Sequence, residues 1–564
     1  MTFTLKLSIL LSALLASGCN GDAADIIFHG GPVLTVNATD EVAQALAVRD
    51  GVIIAVGSEA EVMARKGPRT ELVDLQGRAL LPGFVGAHEH PALTAVFSGA
   101  VDLSGFTHRT NAEVWQAFRA AVASTPKGEW IYAGGLDPIL TPDLKIPDRQ
   151  QLDAMAPDHP VLMVSQTLHS FWANSRAFEE AGITRDTPDP GAGAYYARDA
   201  QGELTGFIAE GRAAAPLLEG LKSPLPIYGR YVKTLDDLLA NGFTSVASLG
   251  FNIPPLLAQV AASRQFTPRI RQFVYMSEEE LDYLPDQPDS SNDYFRVLGV
   301  KLWHDGSPYT GSMYTSTPYL DSPLARTLGI VPGSHGEAMI ADAALTEKIR
   351  HFSESGWQVA IHSQGDSSNR AVVQAVERAG ALSGPLPVVR LEHSVFMPSE
   401  SVKQLAQLGG TVSFHIHHVK YYGDALANSI VGYQAAMQVL PVKQAFALGL
   451  QPSLHADSPM FPADGFALMQ TAINRRSNQG LVMNAMHGID VHQALRAMTL
   501  NAAYQLRLAE QAGSLEPGKW ADLQIVERNP YETPVDELDK IRIEAVYVGG
   551  RNEYQAPAAE GLTP

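Results

Sequence analysis

The chain has 564 residues, 45% hydrophobic and 18% charged, a balance that supports a large folded core and excludes long disorder. Lys+Arg 41 against Asp+Glu 60 gives a net charge of −19, which argues against nucleic acid and anionic lipid headgroups as partners but says little about the substrate, expected to be a small molecule. With Cys19 as the only cysteine, an intrachain disulfide is excluded.

Residues 1–18 read as a signal peptide. Lys6 precedes an apolar run from Leu7 to Leu15 that is too short to span a bilayer, followed by Ala16-Ser17-Gly18-Cys19. The small residues before Cys19 resemble the lipobox of bacterial lipoproteins, so the protein is expected to be exported, periplasmic or held to a membrane by a lipid on Cys19. Cleavage after Gly18 that leaves a free thiol is the alternative.

Short strands follow. Ile26 to Phe28 leads through Gly30-Gly31-Pro32 into Val33 to Val36, and Arg49-Asp50-Gly51 turns a hairpin between Ala45–Val48 and Val52–Val56. Gln76-Gly77 is a further turn. The same texture returns at Ala521 to Val526 and Ile541 to Val548, so residues 25–80 plus 511–556 are expected to form one small β-sandwich domain built from both termini.

The centre, residues 81–510, alternates differently. Apolar runs Val161–Val164, Thr244–Leu249, Val297–Trp303, Gln358–His362, Val388–His393 and Thr411–His415 are separated by helical patterns such as Asp342–His351 and Asn369–Ala379. Strand–helix alternation predicts an α/β fold with a parallel sheet, open or closed as a (β/α)8 TIM-like barrel. Residues 98–241 are too long for one barrel unit and predict an insertion.

Chemistry collects at strand ends. His88 and His90 end the run Leu80–Ala87, and residues two apart on a strand share a face, so both imidazoles aim at one point suited to a divalent metal. Glu89 should face the other way. His362, His393 and Asp457 end later strands, where a barrel gathers its catalytic residues. Lys301, on Val300-Lys301-Leu302-Trp303-His304-Asp305, either pairs with Asp305 or, if neutral, adds carbon dioxide to become an anionic carbamate ligand. His415, His417 and His418 read as loop surface residues, with tuning of the site or substrate binding as the alternative. Trp172, Trp303, Tyr309, Tyr314, Tyr421 and Tyr422 are candidates for an apolar pocket or for ordinary packing.

Several segments in this order carry a resemblance: Leu81 to His90, His169 to Ser175, Val300 to Gly306, and Gly513-Ser514-Leu515-Glu516-Pro517-Gly518-Lys519-Trp520-Ala521-Asp522-Leu523. Together they resemble the amidohydrolase superfamily, specifically the amidohydrolase-3 (YtcJ-like) branch that includes N-substituted formamide deformylase. The resemblance implies that His88 and His90 hold the more buried metal. It further implies that carbamylated Lys301 bridges to a second metal on His362 and His393, and that Asp457 is both ligand and catalytic base. One or two ions, zinc by expectation, are implied, and a homo-oligomer is possible. His169, Trp303 and His455 are candidate substrate contacts. His455 is a departure, because Leu454-His455-Ala456-Asp457 stands where relatives usually have Gly-Ser-Asp. The implied reaction is hydrolysis of a C–N bond in an amide, N-substituted formamide or cyclic amide. Deamination of a heterocycle on the same site, and a non-catalytic exported metal-binding lipoprotein, are the rival readings.

Overall fold

The computed structural model describes residues 23–557, except 192, 223, 251–268, 289 and 381–387. The signal segment and Cys19 lie outside the described residues. Among those described, no helix is long and apolar enough to cross a membrane.

Eight parallel strands carry the centre: β1 (Phe84–Glu89), β2 (Phe243–Leu249), β3 (Arg271–Met276), β4 (Phe295–Trp303), β5 (Gln358–Ser363), β6 (Val389–His393), β7 (Thr411–His415) and β8 (Ser453–His455). Each pairs with the next in chain order, from β1 with β2 to β7 with β8. Their side chains are mostly buried on both faces, as expected of a parallel sheet covered by helices. Helices such as Asp342–Glu354 and Asp366–Ala379 supply that cover with apolar stripes, for example Val372, Val373 and Val376.

The seam between β1 and β8 is closed by a side chain. The Glu89 carboxylate accepts hydrogen bonds from the backbone N–H of Ala456 at 3.1 Å and of Ser458 at 2.7 Å, and His90 N–H donates to Ser458 O at 3.1 Å. Burial pushes the Glu89 carboxyl up to about 7, against the hydrogen bonds from Ser458 and Ala456.

The terminal segments form two further sheets. One contains the Ala45–Arg49 and Val52–Gly57 hairpin, with Asp50 (φ 52) and Gly51 (φ 77) in the left-handed region its turn requires. The other joins Ala79–Pro82 to Leu523–Val526 and Ile543–Val548 from the far end of the chain. Phe28, Leu46, Leu80, Leu523 and Tyr547 fill the space between the two. Arg271 ties this unit to β3 through a buried two-point ion pair with Asp522, at 2.7 and 2.9 Å.

A six-stranded sheet occupies Val101–Ala209. It corrects one expectation: Val161–Ser165 pairs with Ile131–Leu136 and Ser170–Ala173 in this sheet and is not a barrel strand. Its place in the barrel is taken by β3. The polar start of β3, Arg271 and Gln272, hides the strand in the sequence because the partners, Asp522 and the Tyr231 hydroxyl, come from distant segments.

Candidate metal centre

β1, β6, β7 and β8 deliver their last side chains to one buried region. Strand alternation and register explain this: His393 is level with Phe414, His415 with His455, and Asp457 follows two residues beyond β8. Asp457 Oδ1 lies 3.2 Å from His88 Nε2 and 3.0 Å from His90 Nε2, and its Oδ2 lies 3.9 Å from His393 Nδ1 and from His415 Nδ1. Asp457 (φ 59), His393 (φ 70) and Ser394 (φ 43) all take left-handed backbone, a cost tolerated where the surroundings fix a functional geometry. The Glu89 clamp on Ala456 and Ser458, the residues flanking Asp457, is one such constraint.

His88 is oriented from behind. Its Nδ1 donates to Glu392 Oε2 at 2.6 Å, and Arg390 Nε meets Glu392 Oε1 at 2.9 Å. Arg390 in turn donates to Ala87 O at 2.9 Å and to the Tyr275 hydroxyl at 3.0 Å. All of these side chains are buried. Burial alone would raise the Glu392 carboxyl, but Arg390 and His88 hold it below its ordinary range, so it stays ionised. This carboxylate–histidine arrangement leaves the His88 Nε2 lone pair facing Asp457. Glu392 and Arg390 escaped the sequence reading; the only signal was two charges inside the apolar run Val388-Val389-Arg390-Leu391-Glu392-His393.

Lys301 does not pair with Asp305. Asp305 instead accepts backbone N–H bonds from Gln364 and Gly365 at 2.9 Å and Tyr314 at 3.0 Å. Lys301 Nζ is buried with no hydrogen-bond partner among the described residues, 5.4 Å from the half-buried Trp303 ring. Burial draws the ammonium down to about 8 against the pull of Glu392 and Asp457. His362 stands beside His393, ring centroids 4.4 Å apart, with its Nε2 turned toward Gly306 O at 3.5 Å and Gln364 Nε2 at 3.4 Å. His169 pairs with Glu210 at 2.7 Å; burial opposes its charge, but Glu210 raises it above the ordinary histidine value.

The histidines at the end of β7 are a correction. His415, His417 and His418 are all buried rather than on a surface loop, because His417 opens a helix, His417–Ala425, that packs on Phe461. His415 donates from Nε2 to Ala456 O at 2.9 Å, and His418 Nδ1 meets the Tyr309 hydroxyl at 2.6 Å. Among the aromatic candidates, Tyr309 and Tyr422 are core, Tyr421 stacks on Phe461, and Trp172 and Tyr309 line a narrow pocket with Asp137 and Ser170.

The donor set fits a divalent cation. Among the described residues, His88 Nε2, Asp457 Oδ1 and Lys301 Nζ are buried with no hydrogen-bond partner of ordinary geometry, a costly state unless a ligand satisfies them. Two imidazoles and a carboxylate that converge this closely form a common divalent-metal set.

The family model for the amidohydrolase family matches residues 71–554. The chain belongs to the amidohydrolase family. Over 547 residues this amidohydrolase is 26% identical to N-substituted formamide deformylase of Arthrobacter pascens, spanning 94% of the chain and 98% of that relative. It is also 26% identical over 549 residues to YtcJ of Bacillus subtilis, named as an amidohydrolase, spanning 94% and 99%. An uncharacterized metal-dependent hydrolase from Pyrococcus horikoshii shares the fold, with a TM-score of 0.72 at 22% identity over 91% of this chain and 99% of that one. The family match makes the protein a hydrolase, and hydrolysis of a C–N bond is consistent with these matches.

Proposed function

We propose that this amidohydrolase cleaves the C–N bond of a small amide, N-substituted formamide or cyclic amide with zinc held by His88, His90 and Asp457. The observation that carries the reading is the approach of both strand-end imidazoles to one buried carboxylate oxygen, at 3.2 and 3.0 Å. Lys301, unpartnered and drawn toward neutrality, suits carbamate formation: its amine adds carbon dioxide and loses one proton, giving an oxygen ligand. His362 and His393 are the candidate ligands of a second ion.

When bound, a divalent ion supplies Lewis acidity, acidifying water and polarising a carbonyl. Burial would raise the Asp457 carboxyl, but His393, His88 and His90 hold it well below the usual carboxylate range, so it is ionised and able to accept a proton from the attacking water. Water oxygen bonds to the carbonyl carbon, the C–N bond breaks, and the proton on Asp457 passes to the leaving nitrogen. His169, whose pairing with Glu210 raises its pKa above the ordinary histidine value, is the candidate to stabilise negative charge that develops on the carbonyl oxygen.

A panel of N-acyl amines, formamides and cyclic amides tests this reading. Turnover of at least one member is expected, lost on chelation and restored by zinc. Turnover that survives complete metal removal, or tight metal binding with no turnover across the panel, would overturn it.

A further inference from the structure

Of the two histidines expected to touch substrate, His455 is a correction. Its ring is fully buried, with Nδ1 2.7 Å from Ser413 Oγ and Nε2 3.1 Å from His393 Nδ1, so both nitrogens are engaged by protein. His169 stays a candidate, and it comes from the insertion rather than the barrel. It ends the four-residue loop, 166–169, that joins Val161–Ser165 to Ser170–Ala173 in the six-stranded sheet. Burial lowers the His169 pKa, and the charges of Glu210 and Asp457 outweigh that, which places it within electrostatic reach of the metal centre. The loop is shaped within its own sheet. Ser165 O accepts from Leu168 N–H at 3.1 Å, Ser165 Oγ from Ser170 N–H at 3.1 Å, and His169 O from Glu210 N–H at 2.8 Å. Asp457 is shaped within the barrel, its turn closed by Met460 N–H on Asp457 O at 2.8 Å and flanked by the Glu89 clamp. None of these bonds sets one group relative to the other.

Gln166 does. Its Nε2 donates to Pro459 O at 3.0 Å and to Met460 O at 2.6 Å, across 293 and 294 positions of sequence. Both neighbours are carbonyls, so the amide can seat only with its NH2 toward them. Oε1 is then left buried with no partner among the described residues, so the side chain serves the turn at the expense of its own acceptor. The backbone beneath is fixed too, Gln166 N–H donating to Leu136 O at 3.1 Å. A separate contact between insertion and barrel, the Tyr422 hydroxyl on Asp137 Oδ2, lies at the helix after β7.

We propose that Gln166 is a positioning residue that registers the His169 loop of the insertion against the Asp457 turn. It thereby holds in one geometry the group that meets the carbonyl oxygen and the group that takes the proton of water. The inference rests on the reading of His169 as the stabiliser of developing charge and adds what sets its place. Misplacing such a group by about 1 Å can cost on the order of 100-fold in rate.

Gln166→Met keeps the side-chain length and removes both donors. On the best substrate of the panel it should lower kcat by about 10- to 100-fold, with KM changed less. Zinc affinity at His88 and His90 should stay that of wild type, because Glu89 still holds the turn. His169→Ala should lower kcat by about 10²- to 10³-fold, as loss of one donor to a developing oxyanion does. If Gln166 acts through His169, Gln166→Met should cost little more in the His169→Ala background, whereas independent effects would multiply. Multiplying effects, or a fall in zinc affinity, would overturn the positioning role while leaving His169 its part. A kcat indifferent to His169→Ala would overturn both. Gln166→Asn, a methylene too short to reach both carbonyls, repeats the cycle if circular dichroism finds the Met variant unfolded. Crystal structures of wild type and variant give a readout free of turnover. The 166–169 loop should shift from the Asp457 turn by about 1 Å, and a loop left in place would refute the proposal.

Discussion

Asp457→Asn should lower kcat by about 10²- to 10⁴-fold at saturating zinc, the range set by loss of a positioned proton acceptor. The substitution is chosen for its backbone. Asp457 sits at φ 59, a region that Asn occupies as readily as Asp, so the loop can keep its shape. The Glu89 carboxylate still receives the N–H groups of Ala456 and Ser458 on either side. An amide oxygen can replace Oδ1 opposite His88 and His90, but no amide accepts a proton as a carboxylate does. Steady-state kinetics beside zinc titration checks the expectation. Turnover within a few-fold of wild type would remove Asp457 as the base.

Glu392→Ala should produce the second large effect, and it should appear in two measurements at once. Arg390 and Glu392 form a buried ion pair, and removing one member leaves a buried charge unpaired, at a cost of about 3–5 kcal/mol in denaturant unfolding. The same change strips His88 Nδ1 of its acceptor, so zinc affinity at His88 and His90 should fall about 10- to 100-fold. The double variant Arg390→Met with Glu392→Met separates the two. An apolar pair of similar volume should recover most of the stability, while zinc affinity stays low because His88 remains unanchored. Recovery of zinc affinity in the double variant would show that the carboxylate acts on stability alone.

Sequence patterns revealed the features that depend on local periodicity. His88 and His90 were legible because a strand alternates faces, and the opposite placement of Glu89 followed from the same rule. The rule gave the direction of Glu89 but not its task, which depends on Ala456 and Ser458, more than 360 positions along the chain. The Glu392 acceptor for His88 was hidden for the same reason: its partner lies 304 positions away. For Lys301 the local sequence leaves two readings open, a pair with Asp305 four residues later or a carbamate ligand. In the fold Asp305 is consumed by three backbone N–H groups, and Lys301 Nζ has no hydrogen-bond partner among the described residues. The histidines after β7 looked like surface residues because polar runs usually are. Only the packing of the helix they open on Phe461 buries them. Val161–Val164 reads as one of the central strands because a short apolar run looks the same in any covered sheet.

An anomalous difference map at the zinc edge, from crystals grown with zinc and bicarbonate, tests the central claim most directly. The expected map places an ion between His88 Nε2, His90 Nε2 and Asp457 Oδ1, with carbamate density continuous with Lys301 Nζ. An ion bound only among His393, His415 and His455, with His88 and His90 bare, would contradict the assignment of the metal centre and the hydrolytic role built on it.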